Sequence, residues 1–280
     1  KHEIILMLPE NHLLKSHFDS ISENIICDFF HMPRQRNPAC LFMMKDIVKK
    51  IHTHNPELLH IQAHGHTWFF AGFPFLKRYP IINTVHDPKP HLGEEQIWKK
   101  ILINFGIKNS DSFIVHGDKL KSQMMQYYNI PSDRINVIPH GHYEVYRDYS
   151  REVIEEEGSI LFFGRLWKYK GLEYLIKAEP IISKEISNLK IVLAFHGESF
   201  NRYKKFIKNI GRFEIHERYI PNDEFPDFFG KASVVVLPYI EASQSGIVAV
   251  SFAFGKPVVV TDVGALPEIV ENGKRGFVVP

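Results

Sequence analysis

The chain has 280 residues, 44% of them hydrophobic, which is enough apolar material for one large domain or two of ordinary size and excludes a disordered protein. Its 34 Lys and Arg residues are nearly balanced by 32 Asp and Glu residues; the net charge of +2 argues against general nucleic-acid binding, which depends on a clustered basic surface. The two cysteines, Cys27 and Cys40, are too few for a disulfide scaffold and lack the paired spacing of a zinc site, so we predict a cytoplasmic protein.

Short β-rich runs alternate with helical runs along the first half of the chain. We predict strands at 3–8, 58–63, 81–86, 112–117 and 135–140, and helices near 40–53, 94–108 and 118–128. Apolar strands separated by helices indicate a parallel sheet covered on both faces. The apolar run 67–76 is interpreted as a buried helix broken near Pro74; a membrane-surface anchor is the alternative, disfavoured because no Lys/Arg face accompanies it.

The charged segment 142–158 interrupts this alternation of strands and helices, and we interpret it as a linker. The second half repeats the pattern, with predicted strands at 159–163, 190–195, 213–219, 233–239, 257–261 and 276–279, and predicted helices near 171–185, 201–209, 223–231 and 245–254. We therefore predict an α/β protein of two doubly wound, Rossmann-like domains, 1–148 and 149–280, which face a cleft where ligands meet the carboxyl ends of the strands. Neither GxGxxG nor GxxxxGK[ST] occurs, which counts against standard dinucleotide and P-loop enzymes.

Two segments of the second half could bind an anion. The strand "SILFF" passes into a helix through "GRLWKYKG", where Arg165 offers a fork of donors and Lys170 a point charge, a combination suited to a diphosphate. Ser245 and Gly246 precede an apolar helix whose first amides form a potential phosphate site. The alternatives are a solvated basic loop in the first case and ordinary N-capping in the second.

His86 and Asp87 stand at the end of the predicted strand 81–86, just before Pro88. A histidine there could orient or deprotonate a hydroxyl group, although with 16 histidines in the chain a structural role is the default for any one of them. The histidines at 64, 66, 86 and 91 also raise a metal site, which the weak spacing disfavours. We predict no metal.

The motifs together resemble those of retaining nucleotide-sugar glycosyltransferases of the GT-B fold, glycosyltransferase family 4, the group-1 transferases. "GRLWKYKGLEYLIKA" resembles the family's G-R-x-x-x-x-K-G loop, and "RYIPNDEFPDFFGKASVVVLPY" is similar to its segment beside the nucleotide base. "SGIVAVSFAFGKPVVVTDVGALPEIVENGKRGFVVP" resembles its closing helix, G-x-P-V-V strand and V-G-x-x-P-E turn, while "NTVHD", "SFIVHG" and "VIPHG" match its N-terminal landmarks.

The resemblance implies roles for individual residues. Arg165 and Lys170 would hold the donor diphosphate and Ser245 and Gly246 would cradle it, while Glu241 would approach the donor sugar. His86 or Asp87 would face the acceptor, and the remaining donor-binding candidates are Gly164, Gly197 and Gln244. The family's second glutamate is absent, because Ala249 follows Glu241 by eight residues and the adjacent register gives Ala242 and Val250. Ribose recognition and donor identity therefore stay open.

The implied activity is a retaining, metal-independent hexosyl transfer that needs no cofactor. It moves a sugar from a nucleoside-diphosphate sugar to a carbohydrate or lipid-linked hydroxyl acceptor, in polysaccharide or glycolipid biosynthesis. A nucleotide-sugar epimerase or hydrolase and a non-catalytic nucleotide-sugar-binding module are the alternatives. By comparison with the family, the first strand with its glycine-rich loop and the final helices are expected to lie outside this sequence. Peripheral association with the inner face of the membrane stays open, as does the oligomeric state.

Overall fold

A computed structural model describes residues 2–9, 25–31, 39–62, 67–89, 97–141, 143–149 and 152–280. These residues form two compact units. The first lies within Lys1–Val85, Glu95–Ile114 and Asp133–Asn136, and the second within His86–Glu94, Val115–Ser132 and Val137–Pro280.

The first unit contains two sheets and three helices in its described part. A parallel pair is formed by β1 (Ile4–Pro9) and β2 (Ile25–Phe30). A second sheet has the order β3-β4-β5-β6, whose strands are Leu59–Ile61, Ile81–Thr84, Ser112–Val115 and Ile135–Val137. The helices are α1 (Ala39–His54), α2 (Thr67–Leu76) and α3 (Ile97–Lys108). Apolar side chains of α1, α2, β3 and β4 form the core of this unit, among them Ile47, Phe69, Leu76 and Ile81.

Strand β2 was not among the predicted strands. Its sequence, IICDFF, is apolar except for Asp28, and a charge inside the run argues against a buried strand. The structure pairs that carboxylate with Lys50 and His54 of α1, and the His54 Nε2 to Asp28 Oδ2 distance is 2.9 Å. A charge that finds partners on a covering helix is compatible with a half-buried strand.

The helix α2 is not broken at Pro74, contrary to the sequence interpretation. The helix continues through this residue to Leu76. A proline so close to the last turn removes only the backbone bond to the carbonyl four residues earlier. Nor is α2 fully buried, because Phe70 and Phe75 are 46% and 56% exposed. None of the described helices is both long and apolar enough to cross a bilayer.

The second unit is built on a six-stranded parallel sheet of order β12-β11-β10-β7-β8-β9. Its strands in chain order are β7 (Ser159–Leu166), β8 (Lys190–Gly197), β9 (Phe213–Glu217), β10 (Val234–Leu237), β11 (Val258–Thr261) and β12 (Gly276–Val279). The helices are α4 (Asp118–Tyr128), α5 (Leu172–Glu185), α6 (Phe225–Lys231), α7 (Gly246–Ala253) and α8 (Leu266–Val270). Alternate residues of β7 enter opposite cores: Leu161 and Phe163 enter one, Ile160 and Phe162 the other.

One predicted helix of this unit was wrong. No α-helix occupies 201–209; Phe200–Arg202 and Lys204–Phe206 are separate 3-10 turns. Apolar residues three apart, Phe200, Tyr203 and Phe206, suit such turns, and the first two rings are buried with centroids 6.1 Å apart. The segment 142–158, interpreted as a linker, contains another 3-10 segment, Glu144–Tyr149, and Tyr143 and Tyr146 pack against the core. The prediction of a parallel α/β protein with two Rossmann-like domains is confirmed.

Candidate functional site

A cavity of about 330 Å³ opens in the second unit, where β7, β8 and β10 end. Because the carboxyl ends of parallel strands share one edge of the sheet, residues distant in sequence converge there. The cavity brings together most of the sequence-predicted site residues, namely Asp87, Gly164, Arg165, Lys170, Gln244, Ser245 and Gly246.

Three predicted site residues do not line this cavity. His86 is half-buried beside Asp87, and its ring centroid lies 5.0 Å from that of His116. Glu241 is half-buried and directly precedes Ala242, which does line the cavity. Gly197 is exposed at the end of β8, opposite Leu166 of β7.

The cationic wall of the cavity is formed by the end of β7 and the turn that follows. Arg165 is still within the strand, paired with His196 of β8, so the strand is longer than predicted. Gly164 has a φ of 113°, and a side chain at this position would point at Ile247 of α7. The Lys170 ammonium sits 3.7 Å from the centre of the Tyr239 ring, a distance at which the ring face attracts the cation.

This turn is fastened to the loop that follows β10. Gly171 has a φ of 63°, and a Cβ there would come within 1.8 Å of the Pro238 carbonyl oxygen. The Ile240 N–H donates to the Tyr169 carbonyl at 2.7 Å. Because both contacts are to backbone atoms, the position of Lys170 close to the second anion-binding segment does not depend on the conformation of neighbouring side chains.

That second segment is the start of α7. Ser245 is the N-cap, and its Oγ accepts from the Ile247 N–H at 3.3 Å. Tyr239 Oη lies 3.3 Å from the same Oγ. The capping interpretation is therefore correct for Ser245, yet both Ser245 and Gly246 also line the same cavity as the cations. A helix start and two cations thus face one space, which favours a polyanion.

The opposite end of the cavity is aromatic and apolar. His196 and Tyr219 lie edge to face with centroids 5.4 Å apart, and Ile220 and Phe225 complete the wall. Flat ligand groups stack on such side chains. The sequence analysis singled out neither His196 nor Tyr219 as a site residue, although His196 directly follows one predicted strand and Tyr219 ends another, where ligand contacts are expected.

Gln244 presents an unusual group to the cavity. Its Oε1 is buried and has no hydrogen-bond partner. A buried amide oxygen without a donor is unfavourable, and a ligand hydroxyl would satisfy it. This observation favours a ligand with hydroxyl groups near Asp87 and Gln244, both of which line the cavity.

A row of histidines follows three neighbouring strands of the β3-β4-β5-β6 sheet. The His116 ring lies 5.0 Å from both His86 and His140, centroid to centroid. Burial lowers the pKa of His116; the hydrogen bond to the Ile138 carbonyl partly opposes this, and the nearby His140 adds to it. Because a carbonyl only accepts, His116 Nδ1 carries the proton in this 2.9 Å bond.

Metal ligation has no support among the described residues. They contain no group of three His, Cys, Asp or Glu side chains placed to hold an ion. The histidines at 64, 66 and 91, which the sequence suggested as metal ligands, lie outside the described residues.

Comparison with known families gives two consecutive matches. The model described as Glycosyltransferase Family 4 matches residues 8–142, and that described as Glycosyl transferases group 1 matches residues 157–280. Between them they account for most of the chain.

Individual relatives agree with these matches. An uncharacterized glycosyltransferase of Methanocaldococcus jannaschii is 27% identical over 272 residues, covering 85% of this chain and 66% of the relative. The sucrose-phosphate synthase of Thermosynechococcus elongatus has a similar structure, with a TM-score of 0.68 at 15% identity over 91% of this chain and 70% of that one. HepE from Anabaena, solved with UDP and glucose, has a TM-score of 0.64 at 18% identity over 95% and 74%.

The fold is that of a GT-B protein, and the cavity in its second unit is lined by two cations and the start of a helix. The matches of residues 8–142 and 157–280 to two glycosyltransferase models, together with this fold, identify the chain as a GT-B glycosyltransferase. It spans about two thirds of the length of the curated relatives that it matches.

Proposed function

We propose that this chain carries the donor-binding site of a retaining glycosyltransferase. The enzyme moves a hexose from a nucleoside-diphosphate sugar to a hydroxyl of a carbohydrate or lipid-linked acceptor, in polysaccharide or glycolipid biosynthesis. It needs neither a metal ion nor a cofactor. HepE, whose structure was solved with UDP and glucose, supports the choice of a nucleoside-diphosphate sugar as donor.

The observation that carries this proposal is the convergence of Arg165, Lys170 and the start of α7 on one cavity. As the bond between sugar and phosphate breaks, negative charge accumulates on the departing diphosphate. Preorganised cations and a helix N-terminus stabilise that charge more strongly in the transition state than in the ground state. They therefore supply the leaving-group stabilisation that a metal ion supplies in other enzymes.

The other walls suit the remaining parts of such a donor. The end with His196, Tyr219 and Phe225 offers ring faces to a nucleobase. Asp87 and the unsatisfied oxygen of Gln244 offer acceptors to sugar hydroxyls. Val250, one of the two positions where the family's second glutamate would fall, is buried in the core, so ribose recognition cannot come from its side chain.

A thermal-shift screen against UDP-, GDP-, ADP- and dTDP-sugars tests the proposal. A ligand that binds only the native state raises the melting temperature by mass action. We expect at least one sugar nucleotide to raise it, and the corresponding free sugar to have no effect. If no member of the panel raises it, the proposed donor site is wrong.

Turnover separates the proposal from its alternatives. With the donor selected by the screen, we expect transfer to an acceptor and an unchanged rate in EDTA. Release of free sugar at the full rate without acceptor would favour an epimerase or hydrolase. Binding without turnover for any acceptor offered would indicate a binding module, and a rate abolished by EDTA would contradict metal independence.

A further inference from the structure

Helix α4 begins without a cap of its own. Its N-cap residue is Gly117, which has no side chain to accept from the unpaired amides of the first turn. The carboxylate of Glu268, in α8, takes that place. Its Oε2 accepts from the Asp118 N–H at 2.7 Å and its Oε1 accepts from the Lys119 N–H at 2.9 Å. A carboxylate there complements the helix dipole and makes charge-assisted hydrogen bonds.

The fit between the two segments leaves no room for a larger residue at Gly117. A Cβ there would lie 2.5 Å from the Cβ of Ala265 and 2.7 Å from Glu268 Oε2. The neighbouring ion pair, Lys119 Nζ to Asp262 Oδ1 at 3.7 Å, is exposed and contributes little. The contact therefore depends on the glutamate and on close backbone approach.

The segment that bears Glu268 is also fixed to the loop that precedes α7. The Ala265 N–H donates to the Ser243 carbonyl at 2.8 Å. Gly264 has a φ of 54°, and a Cβ there would come within 2.1 Å of the Ala242 carbonyl oxygen. These contacts involve backbone atoms only, so the anion-binding loop keeps its conformation without the Glu268 side chain.

The start of α4 lies close to the residues that the family resemblance assigns to the acceptor. His116 directly precedes Gly117, and its ring contacts that of His86. Asp87, the next residue after His86, lines the cavity. Within the second unit, the two bonds of Glu268 therefore join the segment that carries His116, whose ring contacts His86, to the donor-binding loop.

We propose that Glu268 is a positioning residue of the transfer reaction. It aligns the segment that carries His116 with the diphosphate site and touches no substrate itself. This inference rests on the proposed function. Its consequence is a specific kinetic pattern: without Glu268 the aligned arrangement is less populated, so kcat falls while nucleotide affinity stays the same.

The test compares Glu268→Ala and Glu268→Gln with the parent chain. Donor turnover is measured with the sugar nucleotide selected by thermal shift, and affinity is measured with the corresponding nucleoside diphosphate. We expect kcat to fall about tenfold in Glu268→Ala, the size of a lost cap of roughly 1.4 kcal/mol, with the dissociation constant unchanged. A Gln side chain can accept only one of the two hydrogen bonds, so the kcat of Glu268→Gln should lie between those of the parent and Glu268→Ala.

The matched control is Glu271→Gln. Glu271 lies three residues further on, is partly exposed, and pairs with Lys274 and Arg275. The same loss of charge at this site should leave kcat at the parental value.

Gly117→Ala gives an independent variant in case Glu268→Ala folds poorly. The added methyl group forces the start of α4 away from Ala265, so we expect the same loss of kcat. The double variant Gly117→Ala/Glu268→Ala should show no additional loss, because both changes break one contact. Hydrogen exchange of the Asp118 and Lys119 amides, followed without ligand, should accelerate in each variant.

The outcomes separate this inference from the proposed function. If the parent turns over no sugar nucleotide, the proposed function fails, and the positioning role fails with it. If the parent is active and Glu268→Ala keeps the parental kcat, the positioning role alone is wrong. A loss of nucleotide affinity equal to the loss of kcat would also overturn it, because Glu268 would then act on donor binding.

Discussion

Arg165 and Lys170, the two cations proposed to bind the diphosphate, are held differently by the fold. Lys170 is half-buried, and its position is set by the Tyr239 ring face. Arg165 is exposed near the end of β7 and lines the cavity. A rigid fork of donors can bind two phosphate oxygens at once, which a single ammonium cannot. We therefore expect the guanidinium to contribute to turnover more than to stability.

Arg165→Ala should lower turnover about 100-fold, the effect of removing one preorganised donor from a developing oxyanion. Stability should change little, because the side chain is exposed. Steady-state kinetics and thermal unfolding measure the two effects. Lys168→Ala is the matched control: Lys168 is an exposed cation of the same turn and does not line the cavity. Equal losses in both variants would indicate a general effect of positive charge and would contradict the assignment.

At the level of elements, the site depends on the contact between two loops. The turn after β7 reaches the loop after β10 through Gly171, which fits against the Pro238 carbonyl, and through the hydrogen bond from Ile240 to Tyr169. A third contact comes from β11, where the Thr261 hydroxyl donates to the Tyr239 carbonyl. Neighbouring strands thus fix the loop that carries the Tyr239 ring.

Gly171→Ala should lower the free energy of unfolding by about 3 kcal/mol, of which about 1 comes from the left-handed backbone and about 2 from the clash with Pro238. Chemical denaturation measures the change. Gly255→Ala isolates the first part, because Gly255 has a similar φ of 67° but open space around it. We expect a loss of only about 1 kcal/mol there. Equal losses at the two positions would show that the loop contact does not stabilise the protein.

At the level of the whole molecule, each unit contains a histidine whose pKa is lowered by burial. Burial lowers the pKa of His60 in β3 and of His116 after β5 below their ordinary value of 6.5. As pH falls below about 6.5, the unfolded chain takes up protons that the folded chain does not bind until lower pH. The free energy of unfolding should therefore decrease in that range.

This pH dependence can be measured between pH 7.5 and pH 5. The carboxylates whose pKa is lowered by ion pairs, such as Glu214 beside Lys190, have ordinary values near 4.5 and lose their contribution only at lower pH. Replacing both histidines, His60→Gln and His116→Gln, should flatten the decrease in urea-unfolding experiments. The same slope in the parent and in the double variant would rule out these histidines as its source.

Most of the fold could be predicted from local patterns. Continuous apolar runs such as those of β7 and β10 are buried on both faces of a sheet, and their composition alone indicates parallel strands. Prediction failed in two situations: where a charged residue pairs with a residue distant in the sequence, and where one apolar spacing fits two kinds of helix. The strand β2 was missed because it contains Asp28, whose partners Lys50 and His54 lie on α1. The helix near 201–209 was predicted wrongly because the apolar spacing after Phe200 fits 3-10 turns as well as an α-helix.

The sequence by itself determined the α/β class, the order of most elements and the residue types that could bind a diphosphate, because these depend on periodicity and on residues near one another in the chain. Only the tertiary structure decided which of those residues share a cavity, why Lys170 lies over Tyr239, and that Glu268 caps a helix 150 residues away. Such contacts form when separate strands end at one edge of a sheet, and no local sequence pattern indicates which distant residues will meet there.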